Sequence, residues 1–259
     1  MTTERDEPTT ARSVGSSRSR GLPLWAETLL LLASAVVLAL VIKTVLVQAF
    51  FIPTESMEPG LVEGDRIVVQ KWSGWFGGEP ERGDVVVFED PGGWLTAGEV
   101  EEPGNPVSQA LAGIGLLPSG GHLVKRVVGV PGDVIECCDD QGRILVNGVA
   151  IDEDDYVADD PAALCRGPMT GSCDWSAGPV PEGTVFVMGD NRVHSADSTV
   201  HMCLEDETDC VPGDEFVPDD LIVGKLLATI WPFSHRGGSE STDAFADVPD
   251  RSDDAPDAP

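Results

Sequence analysis

The stretch Trp25–Val47 (WAETLLLLASAVVLALVIKTVLV) constrains everything that follows it in the chain. A hydrocarbon core of about 30 Å is spanned by roughly 20 residues of helix, and charge interrupts this stretch only at Glu27 and Lys43. Both lie near its ends, where long side chains reach the headgroup layer. The sequence therefore predicts one N-terminal transmembrane helix, an anchor over residues 24–48. Arg5, Arg12, Arg18 and Arg20 precede it, so the positive-inside rule leaves the N-terminus in the cytoplasm and the remainder of the chain outside. A cleaved leader is the competing reading; the span is long for one, and no clear Ala-x-Ala follows it.

Beyond the anchor come short β-branched runs punctuated by Gly, Pro and Asp: 65–71, 84–89, 122–130, 133–137, 143–149, 184–188 and 221–231. Such runs predict a mainly β, antiparallel domain over residues 49–233. Asn147-Gly148 is a turn signal inside or beside a hairpin. Residues 91–121 read as an insertion between two strands, whose apolar middle (VSQALAGIGLL) is either a surface excursion or a short helix. Residues 1–23, rich in Ser, Thr and Arg, and the Asp-rich tail 234–259 lack the apolar content for a core and are expected to be disordered. The formal charge of -29 argues against nucleic acid, which needs clustered Lys and Arg.

Cys137, Cys138, Cys165, Cys173, Cys203 and Cys210 all follow the span. An even count outside the cytoplasm predicts disulfides. The neighbours Cys137 and Cys138 are expected to point to opposite sides of a strand and to take separate partners. His201 with Cys203 and Cys210 invites a metal only loosely, because no CxxC pair is present. No metal and no cofactor are expected.

Ser56 lies just outside the apolar stretch in FFIPTESMEP (50–59), between the stiffening Ile52-Pro53 and the apolar Met57. A serine attacks an amide only if a base removes its proton as the bond forms. The chain has no G-x-S-x-G elbow, and its histidines are few: His122 and His194 suit loop-end polar positions, His235 lies in the tail, and His201 is the fourth. Lys125, in the strand-like HLVKRVVGVPGD (122–133), is the better candidate. A solvated lysine titrates near 10.4, and bringing it toward neutrality takes about 3–4 kcal/mol, which desolvation can supply. In a strand Lys125 shares its face with Val127 and Gly129, while Val124, Arg126 and Val128 share the other. Arg126 then need not crowd the amine.

These segments resemble bacterial signal peptidase I, the Ser–Lys enzyme that removes signal peptides from exported proteins. FFIPTESMEP is similar to its nucleophile box and VKRVVGVPGD to its base box; LVEGD (61–65) and RGDVVVF (82–88) continue the family's order. The resemblance implies that Ser56 attacks the scissile carbonyl, that Lys125 takes its proton, and that Thr54 joins the Ser56 amide in an oxyanion hole. It further implies, from GDNRVHSADS (189–198), that Ser195 orients the Lys125 amine with Asp197 in support, while Asp190 and Arg192 buttress the loop. Thr199 departs from the family, which usually has an arginine there to pair with the aspartate. Phe50, Ile52, Pro53, Met57, Leu61 and Val124 match positions lining shallow pockets for small substrate residues. The implied partners are signal-peptide-bearing preproteins and membrane lipid. Two other readings are a related Ser–Lys processing protease with one dedicated substrate, and an inactive membrane-anchored β binding module.

Overall fold

Side chains alternate between the two faces of a strand, so burial alternates where one face is covered and runs on without a break where both are. The computed structural model describes residues 23–71, 78–95, 105, 121–158, 173–203, 210–238 and 242–250. A 22-residue helix, α1 (Leu24–Val45), is followed by β1 (Val47–Phe51), β2 (Arg66–Gln70), β3 (Val85–Glu89) and β4 (His122–Gly129). Four short strands come next: β5 (Ile135–Cys137), β6 (Leu145–Val146), β7 (Val149–Ala150) and β8 (Trp175–Ala177). The rest are β9 (Thr184–Met188), β10 (Phe216–Pro218), β11 (Ile222–Trp231) and β12 (Gly237–Gly238).

Every pairing between these strands is antiparallel. The larger sheet runs β1-β2-β11-β3-β4-β9-β10 with β12 added to β11, and the smaller runs β7-β6-β5-β8. Asn147-Gly148 turns the β6–β7 hairpin with positive φ at both residues (54° and 77°), as its composition predicts. The runs expected as strands all contain one. β1, β8, β10 and β12 were not foreseen: three of them are only two or three residues long, and β1 takes Val47 and Gln48 from the predicted end of the anchor.

β3 is central and covered on both faces. Val85 and Val87 join a cluster with Phe50, Ile52, Met57, Leu61, Ile67 and Val69. Val86 and Phe88 join Trp94, Leu123, Val127, Val185, Val187 and Val217 on the other face. A third cluster, around Phe186, Met188, Ile135, Ile144 and Trp175, packs the small sheet against the large one. Val86 lies directly opposite Lys125 in the β3–β4 register, so the lysine shares a face with Leu123 and with Val127, as expected. A register shift between Val127 and Gly129 instead turns Gly129, also expected on that face, toward Ile135 and Val180.

The chain divides into two units, residues 1–40 and 41–259. In α1 the hydroxyls of Thr28 and Ser34 donate to the carbonyls of Leu24 and Leu31 (2.9 and 2.8 Å) and so are satisfied within the helix. Among the described residues no helix is long and apolar enough to cross a membrane. The predicted disorder of 1–23, apart from Pro23, and most of the 91–121 insertion fall outside the described residues.

Two expectations are corrected. Cys137 and Cys138 are joined to each other; β5 ends at Cys137, so strand alternation does not govern Cys138. Cys203 pairs with Cys210, Cys173 is also in a disulfide, and no described cysteine is free. The tail is the second. Residues 242–250 are ordered against the domain, with Phe245 and Val248 buried in the third cluster. Two apolar residues spaced three apart enter the core from an otherwise acidic segment.

Candidate active site

Ser56 follows β1 in a turn fixed from both sides. The Ile52 amide donates to the Asp65 carbonyl and the Gly64 amide to the Ile52 carbonyl (2.9 Å each). Leu61 N donates to Met57 O at 2.9 Å, closing the turn behind the serine. The buried Asp65 accepts the Val62 amide (3.0 Å) and contacts His235 Nδ1 at 3.2 Å.

This turn meets β4. Lys125 Nζ and Ser56 Oγ share a hydrogen bond of 2.7 Å across 69 residues of sequence. Both groups are nearly closed off, Ser56 being 7% and Lys125 4% exposed. Thr54 Oγ1 lies 3.3 Å from Ser56 Oγ, and Thr54 itself is exposed.

The 189–199 loop packs behind the serine. Asn191 N donates to Ser56 O at 3.1 Å and Asn191 Nδ2 to Glu55 O at 3.3 Å. Gly189 is wedged so tightly that a Cβ there would run into Ser195 Oγ and, at 2.5 Å, the Ser56 carbonyl. Ser195 is fully buried and donates to Asp197 Oδ2 at 2.5 Å. A hydroxyl that gives away its one proton keeps its lone pairs as acceptors.

Asp197 accepts the Gly189 amide on Oδ2 (2.8 Å), and the amide and hydroxyl of Thr199 on Oδ1 (3.1 and 2.7 Å). Thr199 thus occupies the carboxylate where the resemblance implied an arginine.

Behind this loop runs a buried ionic network that sequence reasoning only half anticipated. Arg126 grips Asp190 through Nε and Nη2 (2.8 and 2.7 Å), donates from Nη1 to Gly83 O (2.8 Å), and lies 4.2 Å over the Tyr156 ring. Arg192 donates to Glu153 through Nη1 and Nη2 (3.1 and 2.5 Å) and to Gly189 O through Nε (2.9 Å). The Tyr156 hydroxyl donates to Glu153 at 2.7 Å. Burial, reinforced by the Glu153 charge, pushes the Tyr156 phenol well above its ordinary value. Burial alone would lower the Arg192 guanidinium, but Glu153 holds it above its usual value. Asp190 and Arg192 thus each hold a buried partner of opposite charge, Arg126 and Glu153; Glu153 and Tyr156 were missed in the sequence, and Arg126 was placed without its partner. The available signal was Arg126 itself, a charge inside an apolar strand that demands a buried carboxylate.

Of the six substrate-pocket candidates, Phe50, Ile52, Met57 and Leu61 are buried in one cluster beside the serine, with Val124 partly buried against it. Pro53 stands apart, exposed. Among the described residues no group of three or more His, Cys, Asp or Glu could hold a metal ion.

A serine hydroxyl bonded to a buried lysine amine on an antiparallel β scaffold is an arrangement chemically able to pair a nucleophile with an amine base. The chain belongs to the signal peptidase family, peptidase S26, whose profile matches residues 25–231. It is 41% identical to signal peptidase I of Mycobacterium tuberculosis, over 82% of this chain and 74% of that protein. It is 34% identical to a probable signal peptidase I of Mycobacterium leprae, covering 94% and 89% of the two chains. Signal peptidase I of Leptolyngbya laminosa is 31% identical, covering 92% and 96%. A crystal structure of an Enterococcus faecalis signal peptidase I aligns with 57% of this chain and 97% of its own, at 22% identity and a TM-score of 0.29.

Proposed function

We propose that this peptidase removes N-terminal signal peptides from exported preproteins, with Ser56 as nucleophile and Lys125 as general base. The observation that carries the mechanism is the 2.7 Å contact between Lys125 Nζ and Ser56 Oγ in a nearly water-free setting. A neutral amine there accepts the hydroxyl proton as Oγ attacks the scissile carbonyl, and the resulting ammonium returns it to the departing amine. The acyl-enzyme ester then yields to a water deprotonated by the same amine. The Ser56 amide and the Thr54 hydroxyl donate to the oxyanion; the proximity of Thr54 Oγ1 to the nucleophile supports this role. Ser195, its proton committed to Asp197, offers lone pairs to orient the amine.

Phe50, Ile52, Met57, Leu61 and Val124 would line shallow pockets for small residues of an extended substrate, with Pro53 at their edge, and the substrate adds as a strand beside the Ser56 and Lys125 segments. The sequence stretch 25–47 would anchor the enzyme: its predominantly apolar residues, taken as helix at about 1.5 Å each, match a hydrocarbon core of about 30 Å. By the positive-inside rule, Arg5, Arg12, Arg18 and Arg20 favour an N-terminus in the cytoplasm and a β domain outside, where cleavage sites emerge.

The test is cleavage of a preprotein by the full-length protein in phospholipid vesicles, with the new N-terminus read by mass spectrometry. One cut at the signal-peptide junction, after small residues at -1 and -3, is expected. No cut, or cuts without that preference, would overturn the proposal.

A further inference from the structure

The family match ends at residue 231, yet the chain returns to the domain after it. Segment 242–250 is fastened at several points. Phe245 and Val248 are buried in the core cluster between the sheets. Thr242 and Phe245 press on Gly83, where an added methyl would meet them at 3.0 and 3.4 Å. Asn147 Nδ2 donates to Pro249 O at 2.9 Å, and Arg82 Nη1 to Asp250 Oδ1 at 3.1 Å. Arg82 and Asn147 also converge on the fully buried Asp133, at 2.7 Å for each of two arginine bonds and 2.8 Å for the amide.

What the segment covers matters for chemistry. Gly83 N donates to Val127 O, and Val127 N to Asp84 O (2.8 Å each). The Gly83 carbonyl accepts Arg126 Nη1, also at 2.8 Å. Residues 83–84 therefore hold Arg126 and Val127, the two residues directly after Lys125.

We propose that Thr242–Asp250 is a strap that positions the base: by clamping Gly83 it fixes the register of β4 and so holds the Lys125 amine on Ser56. The inference rests on Lys125 being the base. Misplacement of a reacting group by about 1 Å can cost roughly 100-fold in rate; the strap acts at one remove, so an effect of about tenfold is expected. Because the strap touches no substrate-pocket candidate, the loss falls on kcat and leaves KM within about twofold.

The experiment compares the full-length wild type with Phe245→Ala/Val248→Ala, well below its melting temperature, on two scales. One is kcat and KM on a preprotein; the other is hydrogen exchange at the Gly83 and Val127 amides, with β2 amides as control. A lower kcat together with faster exchange at Gly83 and Val127, and unchanged exchange in β2, supports the strap. Wild-type kcat, or unchanged exchange at Gly83 and Val127, overturns it. If the double variant does not fold, Phe245→Leu/Asp250→Ala is measured on the same two scales, and the same results support or overturn the strap. Ser56→Ala and Lys125→Ala run alongside: activity surviving in them refutes the Ser–Lys mechanism, while the exchange result tests the clamp independently.

Discussion

With Lys125 as the proposed base, only its neutral amine can take the Ser56 proton, and this sets the sign of the expected pH dependence. Activity should therefore rise with pH as the amine loses its proton and level off above; kcat/KM measured across pH that falls with rising pH through neutrality would contradict this. Thr54→Val should lower kcat by roughly 10²–10³-fold, the usual effect of losing one oxyanion donor, whereas Thr54→Ser should keep most activity. Equal kinetics in the two variants would make Thr54 structural. Asp197 tests differently. Its carboxylate is buried and takes the Thr199 hydroxyl at 2.7 Å, so Thr199→Val should cost about 1–3 kcal/mol of stability and Thr199→Ser very little, as measured by denaturant unfolding. At this scale Ser56 and Lys125 drew notice by their settings, one just outside the apolar stretch and the other inside a strand-like run, whereas Ser195 and Asp197 were marked only by the resemblance of residues 189–198. Glu153 and Tyr156 had no such mark, because nothing local to residues 151–157 says that an arginine from residue 192 and another from β4 arrive there.

Strands were easier to read than their ends. Seven β-branched runs with turn residues at both sides located eight of them, β6 and β7 sharing one run, and the Asn147-Gly148 turn followed from its need for positive φ. β8 and β10 offer three residues each, too few for a period to register. β4 carries a second constraint that its pattern hid. An added Cβ at Gly129 would meet Ile135 Cδ1 at 2.5 Å, so Gly129→Ala should destabilise the domain by about 1–3 kcal/mol, seen as a lower Tm. The start of the 91–121 insertion is held by Asp90, whose carboxylate accepts the amides of Gly92, Gly93, Trp94 and Leu95. Burial alone would raise this carboxyl, but the amides keep it below its ordinary value. A depressed carboxyl stabilises the fold fully above its unfolded value of about 3.9 and loses that contribution as pH falls through the folded value. Exchange at the Trp94 amide should thus be unaffected near neutrality and accelerate only in acid below about pH 4; acceleration near pH 6 would exclude Asp90 as the cause.

For the molecule as a whole, the sequence pattern led to a mainly β domain with disulfides, both of which the structure has, and it misjudged where the chain stops contributing to the core. Mean acidity hid Phe245 and Val248, whose burial outweighs the solvation of their neighbours. It also could not assign cysteine partners. The Cys203–Cys210 bridge closes a short loop and contributes roughly 2–3 kcal/mol by restricting the unfolded chain, while the adjacent Cys137–Cys138 pair encloses no chain to restrict. Reduction should lower the Tm, and thiol titration of the denatured, unreduced protein should find close to none free. The central claim, that one buried hydroxyl and one buried amine act as a unit, is tested most directly by preprotein turnover in a cycle of wild type, Ser56→Ala, Lys125→Ala, Lys125→Arg and the Ser56→Ala/Lys125→Ala pair. Each single variant should fold and lose cleavage. The arginine should fail like the alanine because a guanidinium does not release its proton near neutral pH, and the pair should be little worse than either single change. Near-normal turnover by any folded single variant would contradict the account.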